Sequence, residues 1–321
     1  MRTGSVGIFC DLLLRGTPNM CKGFSIFFVS LLASIAAISQ VPAPTPTPVP
    51  GQRPVPPVLD DNNRYDRLRS IDLINERRQG KPDHPLLDSK KGIYRRPGKE
   101  ETAGLAVSES LLKEHETILR QPDTGIVKLN ADSACASNSE VVNVSEECLQ
   151  FRMPGAGIAF SFRTDSYRLP RLADLMFLDG YLRADAVLQQ VIMTELENVP
   201  LGSVTLQTPG MKYLAEFKPP PDGDGFLAYD RELASGIDKD GFRYRKGFLA
   251  RSGVTYAIRS VAYKGSYFRS IDGVTYDELE YDRRRDVVVA FRIVDRDAAG
   301  NITILWKRLR ETNSPTLKIR K

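Results

Sequence analysis

The chain has 321 residues, 41% of them apolar and 26% charged, with a formal net charge of +5. Those proportions are of a globular protein and exclude a disordered or fibrous chain. The positive charge is compatible with a basic patch but too mild to read as nucleic-acid binding.

Taken in chain order, the first informative element is the apolar run at residues 24–38, which follows Lys22 and ends in Ala37, Ile38 and Ser39. A basic start, a greasy middle and small residues at the end are the parts of an export signal, and cleavage after Ser39 is expected. Met20 makes a more ordinary start for such a signal than Met1. The run is short for the ~20 residues that a membrane span needs. A retained anchor over residues 24–41 is the alternative, and it would be the chain's only membrane contact. Residues 40–58 are proline-rich and read as an extended spacer. An extracytoplasmic location, periplasmic or secreted, follows from this order of segments.

Residues 59–122 form a charged, partly helical stretch. Leu68, Ile71 and Ile74 have helical spacing between Arg64 and Arg78. Residues 80–104 carry many charges and little pattern and are read as irregular, packing poorly or not at all. Ser108 is placed to cap a second helix with Leu111, Leu112, His115, Ile118 and Leu119 on one face, and Pro122 ends it. The cysteines Cys135 and Cys148 are an even pair at short separation. In an oxidising compartment they are expected to form a disulfide, which closes a loop of about a dozen residues and contributes ~3 kcal/mol in the chain-entropy account.

From residue 123 to 321 the period changes to two. Ile158, Phe160 and Phe162 alternate with small or polar residues. Strand-like runs follow at 175–178, 187–196, 204–207, 213–217 and 254–263. Residues 286–294 and 302–309, joined by a turn containing Gly300 and Asn301, read as a β-hairpin. One helix is predicted over 229–235, and the Pro219-Pro220-Pro221 triple with Asp222 to Gly225 as a long surface loop. The predicted fold is mainly β, an antiparallel sandwich or barrel-like domain.

The chemistry is constrained mostly by what is missing. The two histidines, His84 and His115, both precede the β region, so no Ser-His-Asp, Cys-His or zinc-histidine pattern can be drawn within it. Gly155-Ala156-Gly157 leads into strand periodicity and lacks the helix that a dinucleotide needs. Asp222/Asp224, Asp238/Asp240 and Asp295/Asp297 place two carboxylates two residues apart in turns. Calcium is conceivable there, with Asp238, Asp240, Asp295 and Asp297 as candidate ligands, but local turn formation explains the same spacing. Two acids on one strand face, Glu195/Glu197 or Glu278/Glu280, are the only catalytic pattern available, that of a glycan hydrolase. The basic runs at 283–285, 307–310 and 318–321 are interleaved with acids and read as a solvated, salt-bridged face. Asn143 and Asn301 lie in glycosylation sequons. The expected role is therefore that of an exported, non-catalytic β-rich protein without a cofactor, binding a partner protein or an anionic surface polymer. A carboxylate-dependent exported hydrolase is the alternative.

Overall fold

The computed structural model describes residues 96–134, 154–271 and 274–318. All lie in a unit running from Pro54 to Lys321. The export signal, the spacer, the helix expected at 64–78, His84, Asn143 and both Cys135 and Cys148 lie outside the described residues. No described helix is long and apolar enough to cross a membrane.

Three short helices come first: α1 (Lys99–Thr102), α2 (Glu109–Glu114) and α3 (Glu116–Leu119). The Ser108 hydroxyl accepts the Leu111 N–H at 3.4 Å, the N-cap its sequence position suggested. The expected single helix breaks at His115, whose φ of −103° and ψ of 12° end α2. Strands β1 (Thr124–Leu129), β2 (Ala159–Ser161), β3 (Ser166–Tyr167), β4 (Leu175–Leu178), β5 (Tyr181–Arg183) and β6 (Gln189–Glu197) follow. Helices α4 (Met211–Glu216) and α5 (Gly223–Ser235) intervene. The chain then forms β7 (Ile237–Lys239), β8 (Phe242–Tyr244), β9 (Gly247–Leu249) and β10 (Thr255–Ala262). It ends with β11 (Phe268–Ile271), β12 (Val274–Asp277), β13 (Arg285–Arg296) and β14 (Ile302–Asn313).

The fold is mainly β and antiparallel. One five-stranded sheet has the order β1-β14-β13-β10-β6, the other β3-β2-β4-β5-β9. Neither closes into a barrel. Both sheets feed one core, in which Phe162 stacks on Phe291 at 6.0 Å and Phe291 on Tyr256 at 5.3 Å. The opposite face of the first sheet is covered by α4 and α5, through Met211, Leu214 and Leu233 against Ile192, Ala257, Val288 and Leu305. Strands β10 and β13 are thus covered on both faces, which is why Val287, Val288, Val289, Ala290 and Phe291 are all buried and read as a continuous apolar run. Near their junction the sheets are stitched together, since Met193 and Arg245 exchange both backbone hydrogen bonds at 2.8 and 2.9 Å.

Three sequence expectations need correction. Residues 213–216 are helical, in α4, and Phe217 is its C-cap, because Met211 and Leu214 bury at helical spacing after Gly210, whose φ of 87° starts the turn. Residues 204–207 form no strand; Val204 packs under the helices and Thr205 and Thr208 bond each other in a turn. The loop expected over Pro219 to Gly225 is short, because Asp222 accepts the Gly225 N–H at 2.9 Å and begins α5 six residues before the helix predicted at 229.

Candidate functional site

One charged assembly is buried rather than displayed. Arg163, which follows β2, is completely enclosed. Its Nε donates to Asp174 at 2.7 Å, its Nη1 to Asp282 at 2.7 Å and to the Arg283 carbonyl at 2.9 Å, and its Nη2 to the Leu172 carbonyl at 2.8 Å. Asp174 also accepts from Ser161 at 2.9 Å, Gln189 at 2.8 Å and Ser260 at 2.5 Å. Asp282 is shared with Arg284 at 2.8 Å, and Arg284 reaches the Tyr263 and Val187 carbonyls. The network joins β2 and β4 of one sheet to β6, β10 and β13 of the other. Burial opposes the charge on Arg163, but Asp174 and Asp282 outweigh it and hold the guanidinium above its ordinary value. Burial pushes Arg284 down to about 10 despite Asp282, so it stays charged at neutral pH. Burial would raise Asp282, yet Arg163 and Arg284 keep it below the usual carboxylate range. Charges paired in this way fasten sheets, although Asp282 Oδ1 and Gln189 Oε1 are left without a hydrogen bond.

The proposed solvated face at 283–285 is therefore corrected at its centre. Arg283 and Arg285 do pair with Glu311, at 2.5 and 3.3 Å, while Arg284 turns inward. Elsewhere in the basic runs Arg310 donates to the Ala215 carbonyl at 2.9 Å and Arg308 to Glu311 at 3.1 Å.

The carboxylates of Glu195, Glu197 and Glu278 are also occupied. Glu195 and Glu197 converge on one cation, Arg251, at 2.8 and 3.4 Å. Glu278 and Glu280 sit in a 3-10 turn rather than on a strand; Glu278 is fully buried and clamped by Arg171, with both Nε contacts at 2.8 Å. Of the calcium candidates, Asp238 bonds Arg243 at 2.6 Å and Asp240 occupies a φ of 52° in the β7–β8 turn. Asp295 lies on β13 opposite Thr303. Asp297 builds the hairpin turn, accepting from the Asn301 N–H at 2.9 Å, the Asn301 amide at 3.0 Å and Lys128 at 2.6 Å. Asn301 in turn accepts the Ala131 N–H at 2.8 Å. Among the described residues no three His, Cys, Asp or Glu side chains are grouped to hold a metal ion.

What the molecule does display is a cleft of about 360 Å³ where the two sheets end. One wall is Arg96 to Val107, the floor is Ile126, Val127 and Lys128 of β1, and the far wall is Phe160 with Asp165, Ser166 and Tyr167. Residues 96–104, read from sequence as irregular, are ordered here by short-range bonds. The Gly98 N–H donates to Glu101 at 2.7 Å, and the Thr102 hydroxyl donates to the Gly98 and Lys99 carbonyls at 3.2 and 3.1 Å. Leu105, 3% exposed, plugs into the shared core and fixes the wall. Arg96 crosses the cleft to Asp165, meeting its carbonyl at 2.5 Å and its carboxylate at 3.0 Å. The Tyr167 hydroxyl donates to the Lys128 carbonyl at 2.6 Å, and burial pushes this phenol well above its ordinary value. Glu101, placed to accept the Gly98 N–H as in a capping box, is the signal in the sequence that marks this wall. The chain matches no protein-family model, no curated protein and no solved structure.

Proposed function

We propose that this chain is an exported, non-catalytic binding protein, and that the cleft at the sheet ends is where its partner, a protein or a surface polymer, is held. The observation that carries the reading is the lining of the cleft. Its floor and far wall set Ile126, Val127, Phe160 and Tyr167 beside Lys128 and Ser166, and its one lining carboxylate, Asp165, is already held by Arg96. Two facing acids, which glycan hydrolysis needs, would have to come from elsewhere. Of the acid pairs in the sequence, Glu195 and Glu197 are engaged by Arg251 and Glu278 by Arg171. Export rests on the signal and proline spacer, and the Cys135–Cys148 bridge on the oxidising compartment that export implies.

The mature protein is expected to begin at Gln40 and to bind at least one component of the source cell's envelope saturably. Ala106→Arg, at an exposed position in the cleft wall, should weaken that binding tenfold or more. N-terminal sequencing and binding isotherms against envelope fractions check both points. Cytoplasmic protein that keeps Met1 or Met20 would contradict export. Release of reducing sugar that Glu195→Gln abolishes would establish the hydrolase instead.

A further inference from the structure

The two sheets have terminal strands on the same side of the shared core, β1 in one and β3 in the other, and the cleft lies between them. At β1 the ladder parity is fixed. The Arg308 N–H donates to the Asp123 carbonyl at 2.7 Å, and these residues continue the register Thr124↔Lys307. Odd-numbered residues of β1 therefore bond β14, and even-numbered ones turn their N–H and C=O away from it. Two contacts agree. The Lys128 carbonyl accepts from Tyr167, and the Asn130 N–H donates to the Gly157 carbonyl at 3.0 Å. At the even position before them, Ile126 directs its N–H and its C=O into the cleft, with no partner among the described residues.

A half-buried strand edge with one donor and one acceptor exposed at a single residue is the pattern that an added strand satisfies. Glycans lack that alternating backbone pair. The rim supplies charge: Arg96, Lys99 and Lys128 face one lining carboxylate, Asp165. Asp165 engages Arg96 and Asp297 engages Lys128, which leaves the surplus on exposed Lys99.

We infer that the cleft takes an extended peptide segment of a partner protein, carrying an acidic side chain toward Lys99, which adds as a strand to β1 through the backbone of Ile126. This rests on the partner-binding reading and narrows it to a peptide.

The test uses the full mature chain and a phage-displayed library of random dodecapeptides. Enriched peptides should be acidic, and the best of them is synthesised plain and with alternate amides N-methylated. Methylation at one parity should weaken binding tenfold or more, and at the other parity less than threefold. Ile126→Pro removes the cleft-facing N–H without removing a bond to β14, and proline is tolerated on edge strands. It should weaken the peptide at least tenfold, whereas Ile126→Ala should change it less than threefold. Lys99→Glu should weaken it several-fold. Should Ile126→Pro fail to fold, amide exchange in the unaltered chain decides: the Ile126 amide should exchange fast alone and slowly with peptide, while Val127 stays protected throughout. Binding indifferent to methylation parity, no enriched peptide, or a dimer that protects Ile126 without peptide would overturn the inference. A polysaccharide whose saturable binding is lost in Ala106→Arg but kept in Ile126→Pro would overturn strand addition alone. Hydrolysis of that polysaccharide would overturn the partner-binding reading as well.

Discussion

Replacing Arg163 with methionine should destabilise the protein by about 3–5 kcal/mol, because it leaves two enclosed carboxylates without their shared cation. Asp174 would keep hydrogen bonds from Ser161, Gln189 and Ser260 but lose its ion pair, and Asp282 would keep only Arg284. For a domain of this size the thermal midpoint should fall by roughly 6–20 °C. The acid limb of stability should move too. Asp282 has a folded pKa below its unfolded one, so its contribution is complete above about pH 4 and is lost as pH falls through the lowered value. In Arg163→Met that depression shrinks, and acid unfolding should begin at a higher pH. Calorimetry between pH 3 and 7 reads both effects; an unchanged midpoint would mean that the network is not the fastening described above.

Phe291→Ala should cost a similar amount, about 3–5 kcal/mol, for a different reason. Phe291 is fully buried on β13 and lies between Phe162 of one sheet and Tyr256 of its own, with interplanar angles of 25° and 17°. Removing the ring opens a cavity whose walls are held by two backbones that cannot collapse together. Chemical denaturation should show a lower midpoint with an unchanged slope, since the surface exposed on unfolding stays nearly the same. Loss below about 1 kcal/mol would mean that the two sheets do not share the core through this ring.

The antiparallel β character was legible because it lies in long, regular signals. The hairpin of β13 and β14 and the strands β6 and β10 each carry an apolar run that includes β-branched residues, β4 carries Leu175 to Leu178, and propensity and burial agree there. Short windows failed where two periods fit equally well. The run at 213–217 places Tyr213, Ala215 and Phe217 two apart, and only Met211, three residues before Leu214, shows that the buried set repeats at helical spacing. The role of Arg284 was illegible for another reason. Its neighbours in sequence, Arg283 and Arg285, are surface arginines paired with Glu311, and nothing local says that a residue of the same type turns inward to meet Asp282 and Arg163. That information is in the tertiary contacts alone.

The cleft shows the same limit. Phe160 was visible as a strand residue and Ser108 as a cap, but the wall at 96–107 depends on Leu105 reaching a core assembled from strands that start some twenty residues later. A charged segment with one buried leucine looks unpacked when hydrophobic residues are only counted, because a single anchor contributes about 1.5–3 kcal/mol against the entropy of a dozen ordered residues. The Gly98, Glu101 and Thr102 hydrogen bonds and the Arg96–Asp165 clasp add to that anchor.

The most direct measurement is photo-crosslinking in cells of the source organism, with benzoylphenylalanine placed at Ala106 in the cleft wall and, as a control, at exposed Leu249 on β9. A discrete adduct from position 106 and none from 249, on protein whose N-terminus is Gln40, is the expected result. Equal labelling from both positions, or adducts only on protein retained in the cytoplasm, would contradict an exported protein that holds its partner in the cleft.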